Sequence, residues 1–352
     1  MIPITTPVIE FDLPKELACP PPTEARGIAR DQVNLLVTAQ NGVHIRHSRF
    51  DQLDRWLTAG DVLVVNTSAT QAAALPIRLP NQQEGRLHLS TQLTGQRWLA
   101  EIRAIEGTKT KRWKKGEVDM QLSLPEGSSI TLTKRYYNNR DLLNLWVIEL
   151  HLAVPLVQYL NQHGLAIKYD GIDKPYPLSY YQTYFSFHPG SAEMPSASRG
   201  FTPSLVNRLL KKGVVFAPIL LHTGVSSLEE NEKPYAEYME VNPISAALMN
   251  QAKADEKRVI AIGTTAIRAI ESAVDHTGQV RAFRGHTELF IDSNYSLQVA
   301  DGLLTGFHEP KASHLHILQA IAGYAHLEKA YEAALQQGYY WHEFGDLHLI
   351  LP

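Results

Sequence analysis

Gly263, Thr264 and Thr265 stand where four apolar residues, 259–262, give way to a run with apolar side chains at helical spacing. Four such residues are too few for a helix and read as a buried strand. Strand, glycine, hydroxyls and helix together aim unpaired backbone N–H groups at one point, and a glycine lets a ligand approach the backbone closely. The group such a turn attracts is a carboxylate or a phosphate. The two threonines also stand in the place of a helix N-cap, and a plain cap accounts for them equally well. Arg268 and Glu271, three residues apart, fall on one side of that helix.

A second cluster gathers His308, Glu309, Lys311 and Ser313 around Pro310. A histidine near its reference pKa of about 6.5 exchanges protons at cellular pH, so this density suits acid–base work, although lone histidines are more often structural. Two further polar groups follow apolar runs, Asn66 to Ser68 and His222 to Gly224. In open α/β sheets ligands gather at such strand ends. His314 and His316 are two apart and point to different faces of a helix, so the sequence argues against a metal site. Cys19 is the single cysteine, which excludes an intrachain disulfide framework and any all-cysteine metal or cluster site. There is no P-loop, no G-x-G-x-x-G after a strand, no G-x-S-x-G elbow and no H-E-x-x-H.

The elements that must position these groups fall into two textures. Before residue 72 and after about 150, apolar runs alternate with helical patterns: Val62 to Val65 as a strand, Thr202 capping a helix with Pro203 in its first turn, 214–222 as a strand, a helix from Asn242, and one long or two consecutive helices in 308–338. Between 72 and 150 come short alternating stretches broken by turns, which predict a small antiparallel sheet or barrel. At 352 residues the chain exceeds a single core. The expected architecture is a mixed α/β main domain from both ends of the chain, 1–71 and 151–352, with an inserted β-barrel domain at 72–150.

With 44% hydrophobic and 20% charged residues and a formal net charge of −3, the chain is ordinary for a globular protein. A basic patch within it still permits nucleic acid. Lys111, Arg112, Lys114 and Lys115 surround Trp113, and Lys134, Arg135, Tyr136, Tyr137 and Arg140 follow on a neighbouring strand and turn. Cations hold phosphates and exposed aromatics stack on unpaired bases, so this region is the expected RNA contact; a solvated hairpin tip is the alternative. No basic segment followed by an apolar one opens the chain, and no apolar run approaches 18 residues, so the expectation is a cytoplasmic protein without membrane contact.

In order along nearly the whole chain, "FDLPKEL", "GDVLVVN", "YYQTYFSFHPGSA", "KKGVVFAPILLHTG", "YAEYMEV", "VIAIGTTAIRAIES", "LLTGFHEPKAS" and "FGDLHLIL" resemble the S-adenosylmethionine:tRNA ribosyltransferase-isomerase family of queuosine biosynthesis. The resemblance implies a monomeric enzyme with tRNA and S-adenosylmethionine as substrates, no tightly bound cofactor and no metal. It implies transfer and isomerisation of the ribosyl unit onto 7-aminomethyl-7-deazaguanine in tRNA. On it His308, Glu237, His222 and Lys311 are the expected catalytic residues. Gly263, Thr264, Thr265, Arg268 and Gly224 are expected to hold the donor. The chain departs from the family pattern at Arg199 and Gly200, which replace leucine and histidine, at Tyr235, which replaces histidine, and in the stretch after Gly224. A related enzyme with another acceptor, or an RNA-binding relative without catalysis, therefore stays open.

Overall fold

The computed structural model describes residues 8–39, 44–107, 109–136, 145–168, 172, 174–225 and 235–352. Runs of apolar residues become the middle of a nine-stranded mixed sheet. Val62–Asn66 pairs in parallel with Val215–Leu221 on one side and Val259–Ile262 on the other. Gly302–Gly306, Leu347–Leu351, Asn34–Ala39 and His44–Arg49 extend the sheet one way, Glu237–Val241 and Phe283–Thr287 the other. Both faces are covered, which is why the central strands are apolar without alternation. Val62 and Val64 enter one core with Ala261 and Ile219. Leu63 and Val65 enter the opposite core with Ile260 and Ile262.

The second sheet closes on itself. Ala74–Arg78, Glu84–Gln92, Arg97–Glu106, Leu145–His151, Ser129–Arg135 and Gln121–Ser123 form a six-stranded antiparallel barrel, with Lys109–Arg112 added beside Arg97–Glu106. The Leu156–His163 helix packs on this barrel through Tyr159 and Leu160, sharing its core. The helices begin as their caps dictate: Thr202 accepts from Leu205 N–H and Asn242 from Ser245 N–H, each followed by proline. The 308–338 region resolves into two helices, His314–Ala322 and Tyr324–Gln336, parted at Gly323. No helix among the described residues is long and apolar enough to cross a membrane.

The basic stretch of the barrel differs from expectation. Lys109–Arg112 is a strand, not a hairpin tip, so side chains alternate. Lys111, Lys114 and Lys115 are exposed. The Arg112 guanidinium is spent at 3.0 Å on the buried Glu101 carboxylate, which Arg103 also engages. Trp113 is 8% exposed and belongs to the barrel core, so it offers no face for a base to stack on. Arg135 lies 4.4 Å over the Trp146 ring and donates to Gly116 O. Tyr137 and Arg140 fall outside the described residues.

Candidate active site

The strand Val259–Ile262 delivers the chain to Gly263, whose φ of 91° and ψ of 157° are a conformation essentially reserved for glycine. Gly263 is itself the N-cap of the helix Thr264–Ser272, and no side chain caps it. The threonines are therefore the first helical residues, not caps, which frees their hydroxyls. Thr265 Oγ1 lies 3.4 Å from Asn66 Nδ2. Asn66 ties the carboxyl ends of two strands together, donating to Leu221 O at 2.8 Å and accepting Leu221 N–H at 3.0 Å.

In front of this turn is a cavity of about 370 Å³. The 263–265 turn forms one wall and the 305–314 segment another. His308 stacks on His314 with ring centres 4.5 Å apart and planes 4° from parallel, and its Nε2 meets Thr305 Oγ1 at 3.0 Å. Burial, then the neighbouring His314 and His342, hold His308 well below the ordinary imidazole pKa. Burial, with Arg268 and His342, pulls His314 down to about 4. The expectation that His308 titrates near 6.5 is thus overturned: both rings are neutral at cellular pH. Lys311 lines the same cavity with a left-handed backbone, φ 68°.

Sequence reasoning missed the acidic wall. Glu193 and Glu343 line the cavity from two segments with no recognisable motif. Burial, and then the Glu193 charge, raise the Glu343 carboxyl to about 8, against one hydrogen bond from the Ser196 side chain. Glu343 Oε2 is buried and has no hydrogen-bond partner among the described residues. At cellular pH Glu343 therefore keeps its proton, in a cavity that the unprotonated His308 and His314 also line.

The other expected residues are distributed differently. Glu237 is buried in an ion pair with Arg268 and accepts Gly224 N–H at 2.7 Å. Both line a smaller space of about 60 Å³ that shares Thr223, Thr264, Thr265, Ser313 and His314 with the main cavity. At Gly224 a Cβ would stand 2.2 Å from Tyr235 Oη and 2.6 Å from Ser90 Oγ, so close packing requires a glycine there. Successive residues of extended chain point to opposite sides, so Thr223 faces the cavity while His222 lines a separate crevice. His222 Nδ1 meets Ser68 Oγ at 2.8 Å, and burial lowers its pKa to about 4.

Two of the departures noted in sequence, Arg199 and Tyr235, have structural roles, while 226–234 fall outside the described residues. Arg199 is 4% exposed; it pairs with Glu24 and donates to Thr23 Oγ1 and Tyr180 O, clamping the N-terminal segment. Tyr235 is buried and donates to Val225 O at 2.6 Å. Glu271 accepts the backbone N–H groups of Gln298, Val299 and Ala300. His316 packs on Phe290, away from His314. At the cavity rim the potential ligand atoms of Cys19, Glu309 and His342 lie within 4.8 Å of one another. His342 Nε2 stands 3.2 Å from Glu309 Oε1, and ligands about 2.0–2.3 Å from one ion are up to about 4.6 Å apart, so the spacing is compatible with a shared metal ion.

The sequence profile of the queuosine biosynthesis protein family matches residues 7–350. A protein of Desulforamulus reducens named S-adenosylmethionine:tRNA ribosyltransferase-isomerase is 32% identical over 355 residues, covering 97% of this chain and 98% of its own. The protein of that name from Moorella thermoacetica is 30% identical, with the same coverage. Among solved structures, S-adenosylmethionine tRNA ribosyltransferase from Thermotoga maritima shares the fold, with a TM-score of 0.54, 24% identity, and coverage of 97% of this chain and 99% of that one.

Proposed function

The chain belongs to the queuosine biosynthesis protein family, and on that premise we propose that it transfers and isomerises the ribosyl unit of S-adenosylmethionine onto 7-aminomethyl-7-deazaguanine in tRNA. Adenine and methionine leave, and epoxyqueuosine results. The observation that carries this reading is convergence: the two segments most specific to the family, 263–265 and 305–313, face each other across one cavity. S-adenosylmethionine is a cation with a carboxylate at one end. The helix start suits the carboxylate or the ribose hydroxyls, and Glu193 suits the positive charge.

The sulfonium acidifies the C5′ hydrogens, so a base generates an ylide and an acid assists adenine. Environments that push two titrating groups apart mark such a pair. His308, held unprotonated, is the group to accept a proton; Glu343, held protonated, is the group to give one. Lys311 adds positive charge beside them. Glu237 and Arg268 act behind this layer, fixing the strand and helix that carry Thr223 and Thr264.

Purified protein incubated with S-adenosylmethionine and precursor-containing tRNA is expected to release adenine, and no release would sink the reading. A different acceptor on the same donor chemistry is the second reading. Glu193 favours it, adding charge to the cavity wall. Mass spectrometry of the digested tRNA separates the two. Gly263→Ala is expected to weaken S-adenosylmethionine at least tenfold by calorimetry. It should also lower the melting temperature, because a side chain at this φ and ψ costs about 1–3 kcal/mol.

We place donor chemistry in a domain made of 1–71 and 151–352, and RNA contacts in the 72–150 domain, in a monomer working in the cytoplasm without a metal. The exposed Lys111, Lys114 and Lys115, not Arg112 or Trp113, are the phosphate contacts of that domain. Replacing the three lysines by alanine is expected to reduce the salt slope of tRNA binding by about 2–3. An unchanged slope would remove this edge from the RNA interface.

A further inference from the structure

Thr91 is 4% exposed, and its hydroxyl has no hydrogen-bond partner among the described residues. A buried hydroxyl left unpaired costs about 1–3 kcal/mol, a cost that a bound partner would relieve. The residue lies near the end of the Glu84–Gln92 strand, where pairing with Arg97–Glu106 slips between Leu89 and Gln92. Such irregularities re-aim side chains and recur beside functional sites. Thr91 is among the residues that line a crevice of about 780 Å³, roughly twice the volume of the donor cavity, between the barrel and the edge of the main sheet.

The facing wall is built of rings. His222 lies nearly parallel to Tyr238, centres 5.7 Å apart and planes at 25°. His286 meets the same tyrosine edge-on at 5.6 Å. Arg284 Nε donates to Tyr238 Oη at 2.6 Å, and this arginine, 77% exposed, stands at the rim. Thr67, Gln71, Gln92, His188 and Asn242 add to the polar lining, as does Glu240, whose carboxylate lies 3.6 Å from Arg284 Nε. Half-buried and unprotonated, His222 presents an uncharged ring. A wall of flat rings, a buried unpaired hydroxyl in the same lining and a cation at the mouth match a planar heterocycle attached to a phosphate.

We propose that this crevice binds one unpaired nucleobase of the RNA substrate, stacked against the Tyr238 wall and hydrogen-bonded by Thr91, with Arg284 on its phosphate. The inference rests on the tRNA reading above. His222 and Thr223 are consecutive, yet one lines this crevice and the other the donor cavity. The crevice therefore holds a neighbour of the modified nucleotide, not that nucleotide itself. His222 becomes a binding residue rather than a catalytic one.

The test uses the full chain and a short single-stranded oligoribonucleotide carrying one 2-aminopurine, whose fluorescence falls when it stacks. Wild type is expected to quench it on binding. Tyr238→Ala should weaken binding about tenfold, as loss of one base–aromatic stack does. Thr91→Val keeps the shape and removes the hydroxyl. It should weaken binding about threefold or more while melting no lower than wild type, which a structural hydroxyl would not allow. Arg284→Ala should reduce the salt slope by about one. Quenching and affinity unchanged in both Tyr238→Ala and Thr91→Val, in a protein that still binds tRNA, would overturn the crevice assignment alone. Wild type that binds neither the oligonucleotide nor tRNA would overturn it together with the tRNA reading.

Discussion

Glu343→Gln is expected to slow adenine release by about 10²–10⁴-fold, the usual worth of a positioned acid, while raising stability at neutral pH. The two effects have one cause. Burial and Glu193 raise the Glu343 carboxyl from its ordinary value to about 8. The folded protein therefore binds more protons than the unfolded chain between about 4.5 and 8. Stability from this group is fully present below the unfolded value and is lost as pH rises through the folded one. Glutamine removes that loss, so the variant should melt higher than wild type at pH 8 and differ less near pH 5. Activity follows the same proton. The wild-type rate should hold through neutral pH, where His308 is already unprotonated and Glu343 still protonated, and fall as pH passes about 8. The variant should lack that alkaline limb. A Glu343→Gln enzyme with full activity and the wild-type pH profile would show that another group protonates the departing adenine.

Breaking the Glu237–Arg268 pair should produce the largest loss of stability of any change near the site. Both side chains are buried, and the carboxylate is shared between the guanidinium and Gly224 N–H. Removing one partner leaves an uncompensated buried charge, which costs about 3–5 kcal/mol. Arg268→Ala is expected to lose stability on that scale in urea unfolding, and Glu237→Gln somewhat less, because the amide still accepts from Gly224. Arg268→Lys should rescue little, since a single ammonium cannot also reach Leu289 O, to which Arg268 Nε donates at 3.0 Å. The sequence puts Glu237 beside His308 among the catalytic residues, a role for which turnover would fall at constant melting temperature. The ion pair gives the opposite pattern. Near-wild-type stability in both variants with turnover abolished would restore the catalytic role.

The legible part of the site was the part written in local order. Four apolar residues, a glycine and two threonines announced a strand, a tight turn and a helix, and the strand, the turn and the helix form at 259–272. The proline and polar residue before two other helices marked their starts for the same reason, since a cap bonds within three residues of itself. The burial of Trp113 was not legible, because a basic neighbourhood says nothing about which side of a strand a side chain takes. That is set by pairing with Arg97–Glu106, which the sequence of 109–116 does not contain.

By itself, the sequence determined the fold class, the strand-to-helix turn at Gly263, the placement of the charged lysines outside and the chain's family. All of these depend on composition, periodicity or motifs carried by neighbouring residues. Tertiary structure alone decided which groups share a cavity. Glu193 and Glu343 are far apart in the chain, and Glu343 acquires its raised proton affinity only when the fold buries it and brings Glu193 near. His222 and Thr223 are adjacent in the chain and are sent to opposite sides of one extended segment. Proton affinity depends on burial and on charges close in space, and neither quantity exists until the chain has folded.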